Sequence, residues 1–424
     1  MKILIVGPGG REHTWAWKIS QSPLVSEVFC APGNGGIAAH AECVPIAAEE
    51  IEALADFAEE TAIDLTVIGP ERPLVIGIVD HFKARGLTVY GPSAKAAQLE
   101  GSKAFTNELL DRAGVRGKKF AVFSDPAEAR KYVRAEGVPI VVKADGNAAG
   151  KGVVVAETVD EALDAIERCM VALEFGAAGE RVVIEECLVG AECSIKAFVD
   201  GETIVPMVPA QDYKRVHDGD TGPNTGGMGC YSPVPAVTPK VFDYVIEQVM
   251  RPTIETMAAE GNPYSGTLYA GIILTDDGPR MLEYNCRFGD PETQVVLPRL
   301  ESDLVEILLA TAEGRLDEIE ARWSDDKAVC VVIASGGYPG SYEKGKLMSG
   351  MDEAGAAEGT IVFHAGTRAV GDELVTNGGR VLGVTGLGED FEQARDRAYA
   401  AVALIDFEDM FFRSDIAERA VGSD

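Results

Sequence analysis

Basic side chains are scarce in this sequence: 38 lysines and arginines stand against 68 acidic residues in 424, a formal net charge of −30. A chain so anionic is repelled by nucleic acid and by anionic membrane surfaces, which excludes both as expected partners. Also missing is any apolar run of the ~18 residues that span a bilayer; the longest uncharged stretch, 221–239, is rich in Gly, Pro and Thr. The opening Met1-Lys2-Ile3-Leu4-Ile5-Val6-Gly7 reaches glycine after four apolar residues. That is short of the roughly 7 to 15 of a secretory core, so the segment reads as a first strand. Eight cysteines include no C-x-x-C pair, and five histidines are widely spaced, so neither a disulfide framework nor a zinc site is expected. The expected setting is cytoplasmic with reduced, buried thiols, and any metal should be a hard cation held by oxygen.

What is present, 46% hydrophobic and 25% charged residues, is the composition of a folded globular chain of about two to four domains. Up to about residue 92, β-rich runs at 3–6, 28–31, 65–68 and 87–90 alternate with helical periods such as Ile51, Leu54, Ala55 and Ala58. That alternation predicts an open parallel sheet with helices on its faces. From about 138 to 210 the strands follow one another, at 140–143, 152–156, 182–187, 193–200 and 202–208, with Asp200-Gly201 at one turn. Neighbouring strands of this kind predict antiparallel hairpins, and 267–275 with 280–285 make another. A β-rich block from 328 closes with a helix at about 390–405. The expected class is mixed α/β and α+β. Its expected units are an N-terminal α/β domain (1–100), a small lid unit (101–190), a central unit (191–325) and a β-rich C-terminal domain (326–424).

Gly7-Pro8-Gly9-Gly10-Arg11-Glu12 follows the first strand and invites a dinucleotide-binding reading, because a glycine turn there exposes a helix N-terminus to phosphate. The third motif glycine falls at Glu12, and the second strand ends Ala31-Pro32-Gly33-Asn34 without the acid that binds a ribose, which argues against it. A plain tight turn or a non-nucleotide phosphate site remains. The segment Val142-Lys143-Ala144-Asp145-Gly146-Asn147-Ala148-Ala149-Gly150-Lys151-Gly152 is richer, since its glycines let backbone N–H groups face a polyanion beside two lysines. Gly follows Lys151 where a Walker loop has Ser or Thr, and an ordinary glycine-rich hairpin fits as well. Glu185-Glu186-Cys187-Leu188 ends a strand in a short hinge, which can offer backbone groups to a base or be simply an edge strand. In Met281-Leu282-Glu283-Tyr284-Asn285-Cys286-Arg287, period two puts Glu283 and Asn285 on one face, with Leu282 and Tyr284 toward the core. Carboxylate and amide oxygens side by side suit Mg²⁺, and Arg287 can grip an anion bidentately.

Taken together, GPGGREH at 7–13, GPS at 91–93, GSKAF at 101–105, the 142–156 segment, the Glu185-Glu186 hinge, DYKRVHDGDTGPNTGGMG at 212–229 and LEYNCRFGDPE at 282–292 resemble the ATP-grasp superfamily. Within it they resemble the phosphoribosylamine–glycine ligase family. The resemblance implies an ATP-grasp fold and a soluble ligase using ATP, Mg²⁺ or Mn²⁺, glycine and 5-phosphoribosylamine, as a monomer or weak homodimer. It implies an ATP site made by Lys103, Lys143, a lid at Gly146, Gly150, Lys151 and Gly152, the hinge Glu185, Glu186 and Leu188, and Glu192 on the ribose. Metal would sit on Glu283 and Asn285. Arg287, Lys143, Asp212 and Lys214 are the expected catalytic group, with Asp212, Lys214, Gly227 and Arg287 walling the glycine pocket. Gly9, Gly10, Asn377 and Arg380 are candidates for the ribose phosphate. His217 is expected to order its loop by a hydrogen bond. Departures from the family pattern, Asn107 for a common Lys, Asn147 for a common Leu and an altered C-terminus at 415–419, are expected to touch no ligand residue. Two other readings stay open: a related carboxylate–amine ligase or carboxylase, and a non-catalytic nucleotide sensor.

Overall fold

The computed structural model describes residues 1–146 and 152–422; Asn147, Gly150 and Lys151 of the expected lid lie outside the described residues. The first unit holds strands β1 (Lys2–Gly7), β2 (Glu27–Pro32), β3 (Glu42–Cys43), β4 (Leu65–Ile68) and β5 (Val89–Tyr90), parallel and ordered β3-β2-β1-β4-β5. Ile3, Leu4, Ile5 and Val6 are all fully buried. Helices on both faces of a parallel sheet make its inner strands apolar throughout, as expected from the sequence. Between β1 and β2 runs helix α1 (Gly10–Ile19).

The second unit is an antiparallel sheet of β6 (Phe120–Phe123), β7 (Ile140–Ala144), β8 (Val153–Ala156) and β9 (Val182–Glu186), ordered β6-β9-β7-β8 around its own small core of Val142, Val182 and Ile184. Strand β6 escapes a sequence reading because all four of its residues are half-buried, so it carries no alternation. Next come β10 (Ala191–Asp200), β11 (Ile204–Pro206), β12 (Gln211–Asp212), β13 (Arg215–His217), β14 (Thr221–Asn224), β15 (Gly229–Ser232), β16 (Ser265–Thr275) and β17 (Gly278–Asn285). A third sheet, β11-β10-β16-β17, carries the metal-type pair on β17.

In that sheet the β16–β17 register slips. Glu283 lies opposite Gly271 but Met281 lies opposite Ile272, leaving Leu282 as a bulge. The buried residues are therefore Met281 and Tyr284, three apart, and Leu282 is only half-buried. The expectation that Leu282 faces the core fails for this reason, while Glu283 and Asn285 keep their shared face.

The last unit contains β18 (Lys327–Ser335), β19 (Thr360–His364), β20 (Thr367–Val370), β21 (Glu373–Thr376), β22 (Arg380–Gly388) and β23 (Met410–Phe411). Its sheet, β12-β15-β18-β22-β19, takes β12 and β15 from the central segment, so a cut at 326 passes through a shared sheet. The helix Phe391–Val402 covers it. All eight cysteines are unpaired, with Cys43 exposed and Cys187 half-buried. No helix among the described residues is long and apolar enough to cross a membrane.

Candidate active site

The second and third sheets meet at a cleft whose floor is a buried charge network. Near the end of β7, Lys143 Nζ pairs with Glu185 Oε2 of β9 at 2.8 Å, and Lys118 Nζ reaches the same oxygen at 2.8 Å. Asn107 Nδ2 donates to Glu185 Oε1 at 2.8 Å. Lys118 also donates to the carbonyl of Leu282, the bulged residue, which ties the second sheet to the third. Glu185 is 1% exposed, so its carboxylate braces two lysines rather than lining an open hinge.

Lys103 opens the helix Lys103–Arg112 and donates to the Gly146 carbonyl at 2.9 Å. Asp145 accepts from the Ala104 amide at 3.1 Å and pairs with Arg181, so the start of the glycine-rich loop is pinned to a helix N-terminus.

Burial by itself would raise the pKa of Glu283, yet Lys214, Lys143, Lys118 and Lys103 hold it down at about 2. Burial also disfavours charge on Lys143, but Glu185 and Glu283 outweigh it and its pKa is raised. Lys118 goes the other way: burial, with the neighbouring Lys143, lowers it to about 8 against the pull of Glu185. Burial and Lys143 likewise lower Lys103. Four lysines converging on one carboxylate, in a chain of net charge −30, form a local sink for a polyanion.

The Glu283 carboxylate makes no hydrogen bond or ion pair with a described side chain. Its cross-strand neighbour is Gly271, and that of Asn285 is Tyr269, so the adjacent strand supplies no further acid. Among the described residues no group of three His, Cys, Asp or Glu could hold a metal. An unpartnered carboxylate beside an amide oxygen fits a hard divalent cation with other ligands from the nucleotide and water.

Above this floor sits the 212–229 loop. Lys214 Nζ pairs with Glu192 Oε2 at 2.8 Å; burial disfavours its charge, but Asp212, Glu283 and Glu192 together raise its pKa. Arg413 and Arg419 stack on the Tyr213 ring at 4.7 and 4.3 Å, and Arg419 Nε donates to its hydroxyl at 3.1 Å. Of the departures from the family pattern, Asn107 touches Glu185, an expected nucleotide-site residue, contrary to expectation, whereas the C-terminal Arg419 touches Tyr213, which is not one of the expected ligand residues; Asn147 lies outside the described residues. His217 is exposed and its ring makes no hydrogen bond with a described residue. The loop is ordered instead by Arg413, which donates to the Arg215 carbonyl and to Asp220 at 2.9 Å. Gly227, at φ +112, could not be larger: a Cβ there would lie 2.5 Å from Pro291 Cδ.

Other expected residues are placed as follows. At the hinge, Glu186 pairs with Arg280, Leu188 is half-buried and Val189 is 81% exposed. Arg287 pairs with Glu100 at 2.9 Å and lies 3.6 Å from Glu71, while its buried Nε donates no hydrogen bond. Gly9 and Gly10 do not offer an open anion site: Glu12 Oε2 accepts from the Gly9 amide at 2.6 Å and Asp290 Oδ2 from the Arg11 amide at 3.2 Å. Two carboxylates already hold that helix N-terminus. Glu12, where a third glycine would stand, is fully buried, and a Cβ on Gly69 would come within 1.9 Å of it. Arg380 Nη1 donates to the carbonyls of Asp290 and Gly226 at 2.6 and 2.7 Å, so Arg380 and the start of α1 converge on Asp290. Asn377 is exposed in a turn. His13 Nδ1 accepts the His364 amide at 2.7 Å, joining α1 to β19. Sequence reasoning missed Lys118, Asp290 and Glu292; the last two stood in the RFGDPE motif without a role.

A parallel α/β domain followed by two antiparallel sheets gripping a lysine-lined cleft defines an ATP-grasp ligase. The family models agree. Phosphoribosylglycinamide synthetase N domain matches residues 1–100, the ATP-grasp (A) domain 101–293 and the C domain 328–419. The chain belongs to the phosphoribosylglycinamide synthetase family. It is 52% identical to phosphoribosylamine–glycine ligase of Vibrio vulnificus over 424 residues and 52% identical to that of Escherichia coli K12 over 425, covering 99% of each chain in both cases. The crystal structure of phosphoribosylamine–glycine ligase from Thermotoga maritima superposes with a TM-score of 0.86 at 34% identity, over 98% of this chain and 100% of that one. A biotin carboxylase from Campylobacter jejuni shares the fold at 16% identity and a TM-score of 0.73, over 96% of this chain and 92% of that one.

Proposed function

We propose that this chain joins glycine to 5-phosphoribosylamine using ATP, releasing glycinamide ribonucleotide, ADP and phosphate in purine synthesis. A bare carboxylate has no leaving group, so ATP first phosphorylates glycine, and the amine then attacks the glycyl phosphate. Phosphoryl transfer needs positioning and charge neutralisation more than a nucleophilic side chain. The observation that carries the reading is the convergence of Lys103, Lys118, Lys143 and Lys214 on Glu283.

In this reading Lys103, Lys143 and the loop containing Gly146, Gly150, Lys151 and Gly152 hold the phosphates. The 186–188 backbone holds the base and Glu192 the ribose. Glu283 and Asn285 would hold Mg²⁺ or Mn²⁺, which when bound neutralises phosphate charge. Glu185 keeps Lys143 charged and fixed. We place the enzyme in the cytoplasm, as a monomer or weak homodimer acting on small molecules and not on nucleic acid, with units divided near 101 and 190 and a last unit from 326 that shares its sheet with β12 and β15.

The test is an assay with ATP, Mg²⁺, freshly formed phosphoribosylamine and labelled glycine. One glycinamide ribonucleotide per ADP is expected; phosphate release with bicarbonate or formate but not with glycine would overturn the assignment.

Arg287 and Arg380 divide the substrates. Arg287, two residues beyond Asn285, is oriented by Glu100 and Glu71 at the end of the metal-type face, where its planar fork can meet the glycine carboxylate, and lysine cannot reproduce that geometry. Arg287→Lys is expected to raise the glycine KM by about tenfold or more, the loss of one charge-assisted bond. Arg380→Ala should chiefly raise the KM for phosphoribosylamine, because its guanidinium stands at the α1 end of the cleft. Steady-state kinetics showing equal impairment for both substrates in both variants would sink this division.

A further inference from the structure

The proposed amide-forming step, on which this inference rests, requires the attacking nitrogen to lose a proton. We propose that the carboxylate of Asp212 accepts it. The acids around the cleft are otherwise engaged. Glu185 binds Lys118, Lys143 and Asn107, and Glu192 binds Lys214. Glu292 accepts from the Tyr269 hydroxyl, and Asp290 accepts from the Arg11 amide and from Gln294. Among the described residues, the carboxylates of Asp212 and Glu283 alone in the cleft have no hydrogen-bond or ion-pair partner within reach, and Glu283 is spoken for as a metal ligand.

Asp212 ends the short edge strand β12, paired with Cys230 of β15, and it is half-buried. Lys214 feels the charges of Asp212, Glu283 and Glu192 together, so Asp212 and the metal-type face of β17 flank one ammonium. The buried Lys196, Glu292, Tyr269 and Cys230 also lie within electrostatic reach of Asp212. Lys196 Nζ is bound to Ser194 Oγ at 2.6 Å and lies over the Tyr269 ring at 4.5 Å, so it does not claim the Asp212 oxygens. Burial, with Glu292 and Glu192 adding to it and Lys214 and Lys196 opposing, pushes Asp212 up to about 6, a basicity suited to proton transfer near neutral pH.

The step balances as follows. The nitrogen lone pair forms the C–N bond at the carbonyl carbon of glycyl phosphate. The bond from that carbon to the phosphate oxygen breaks, and phosphate leaves with the electron pair. The proton released from nitrogen passes to Asp212 and from there to solvent.

The experiment uses the full-length Asp212→Asn and Asp212→Glu variants with two readouts. One is glycine-dependent scrambling of ¹⁸O between the β,γ-bridge and the β-nonbridge positions of ATP without the amine, which reports phosphorylation alone. The other is single-turnover formation of glycinamide ribonucleotide. For Asp212→Asn we expect scrambling within about threefold of wild type and product formation lower by about 10²- to 10⁴-fold, the usual worth of a general base. Asp212→Glu should recover at least part of that loss, and the acid limb of kcat/KM for the amine should vanish in Asp212→Asn. Product formation within about threefold of wild type in Asp212→Asn, which would mean that the departing phosphate takes the proton, overturns the proposal. An equal loss of scrambling and product also overturns it, because the residue would then serve phosphorylation or folding. If wild type itself shows neither glycine-dependent scrambling nor amine-dependent product, it is the parent assignment that fails.

Discussion

Replacing Glu283 by Gln is expected to lower Mg²⁺-dependent turnover by about 10²- to 10³-fold, equivalent to roughly 3 to 4 kcal/mol of transition-state stabilisation. The carboxylate faces Gly271 across the sheet, so no neighbouring acid can replace it, and Asn285 alone is a neutral ligand. The same charge is the shared counter-ion of Lys103, Lys118, Lys143 and Lys214. Its loss should therefore weaken the metal and also remove a charge that favours the ammonium form of those lysines. Turnover titrated against Mg²⁺ and Mn²⁺, with circular dichroism as the check on folding, measures this. Near-normal turnover at ordinary Mg²⁺ would remove Glu283 from the metal site.

The second large effect is on stability. Glu185→Gln keeps the shape of the side chain but leaves two buried ammoniums, Lys118 and Lys143, without their common partner at 2.8 Å. Breaking one side of a buried ion pair costs about 3 to 5 kcal/mol. The pH dependence has a definite sign. Burial alone would raise Glu185, but Lys143 and Lys118 hold it at about 2, against an ordinary value of 4.5. The stabilisation is therefore complete above 4.5 and is lost as pH falls toward 2. Urea unfolding across that window should show wild type losing stability that the Gln variant never had. A variant within about 1 kcal/mol of wild type at pH 7, the scale of a neutral hydrogen bond, would show that the network is not a buried charge pair.

Much of this is legible in the sequence alone. The N-terminal parallel sheet follows from β-rich runs alternating with helical periods, and Glu283 and Asn285 share a face because strand period two holds locally. Lys143 stood out beside glycines whose φ freedom suits a phosphate loop. What was not legible depends on pairings that have no local signature. The bulge at Leu282 moves the core positions to Met281 and Tyr284, and only the β16 partner register reveals it. Lys118 carries no local sign of its role, because only the fold brings Glu185 of β9 to it. Asn107 read as a harmless departure because its target lies 78 residues away. Arg287 read as an unengaged fork, whereas Glu100 and Glu71 reach it from before the ATP-grasp sheets. Gly9 and Gly10 read as an anion site because neither the fold-back of Glu12 nor the arrival of Asp290 can be seen in a linear sequence.

The contacts that finish the substrate end of the cleft also set the order in which the molecule becomes active. The Arg11 amide meets Asp290 across 279 residues, and His13 meets the His364 amide across 351. Closing loops of that length adds little to the equilibrium cost, since each doubling adds only about 0.6 kcal/mol. It weighs on the rate instead, because distant segments must already be structured before their encounter is rewarded. The sheet around Glu185, whose partners lie no more than 78 residues from it, can form before those longer loops close, and bind nucleotide. The meeting of α1, the RFGDPE segment and β19 comes late. On refolding, nucleotide binding should therefore return ahead of catalysis, with the substrate pocket as the slow step.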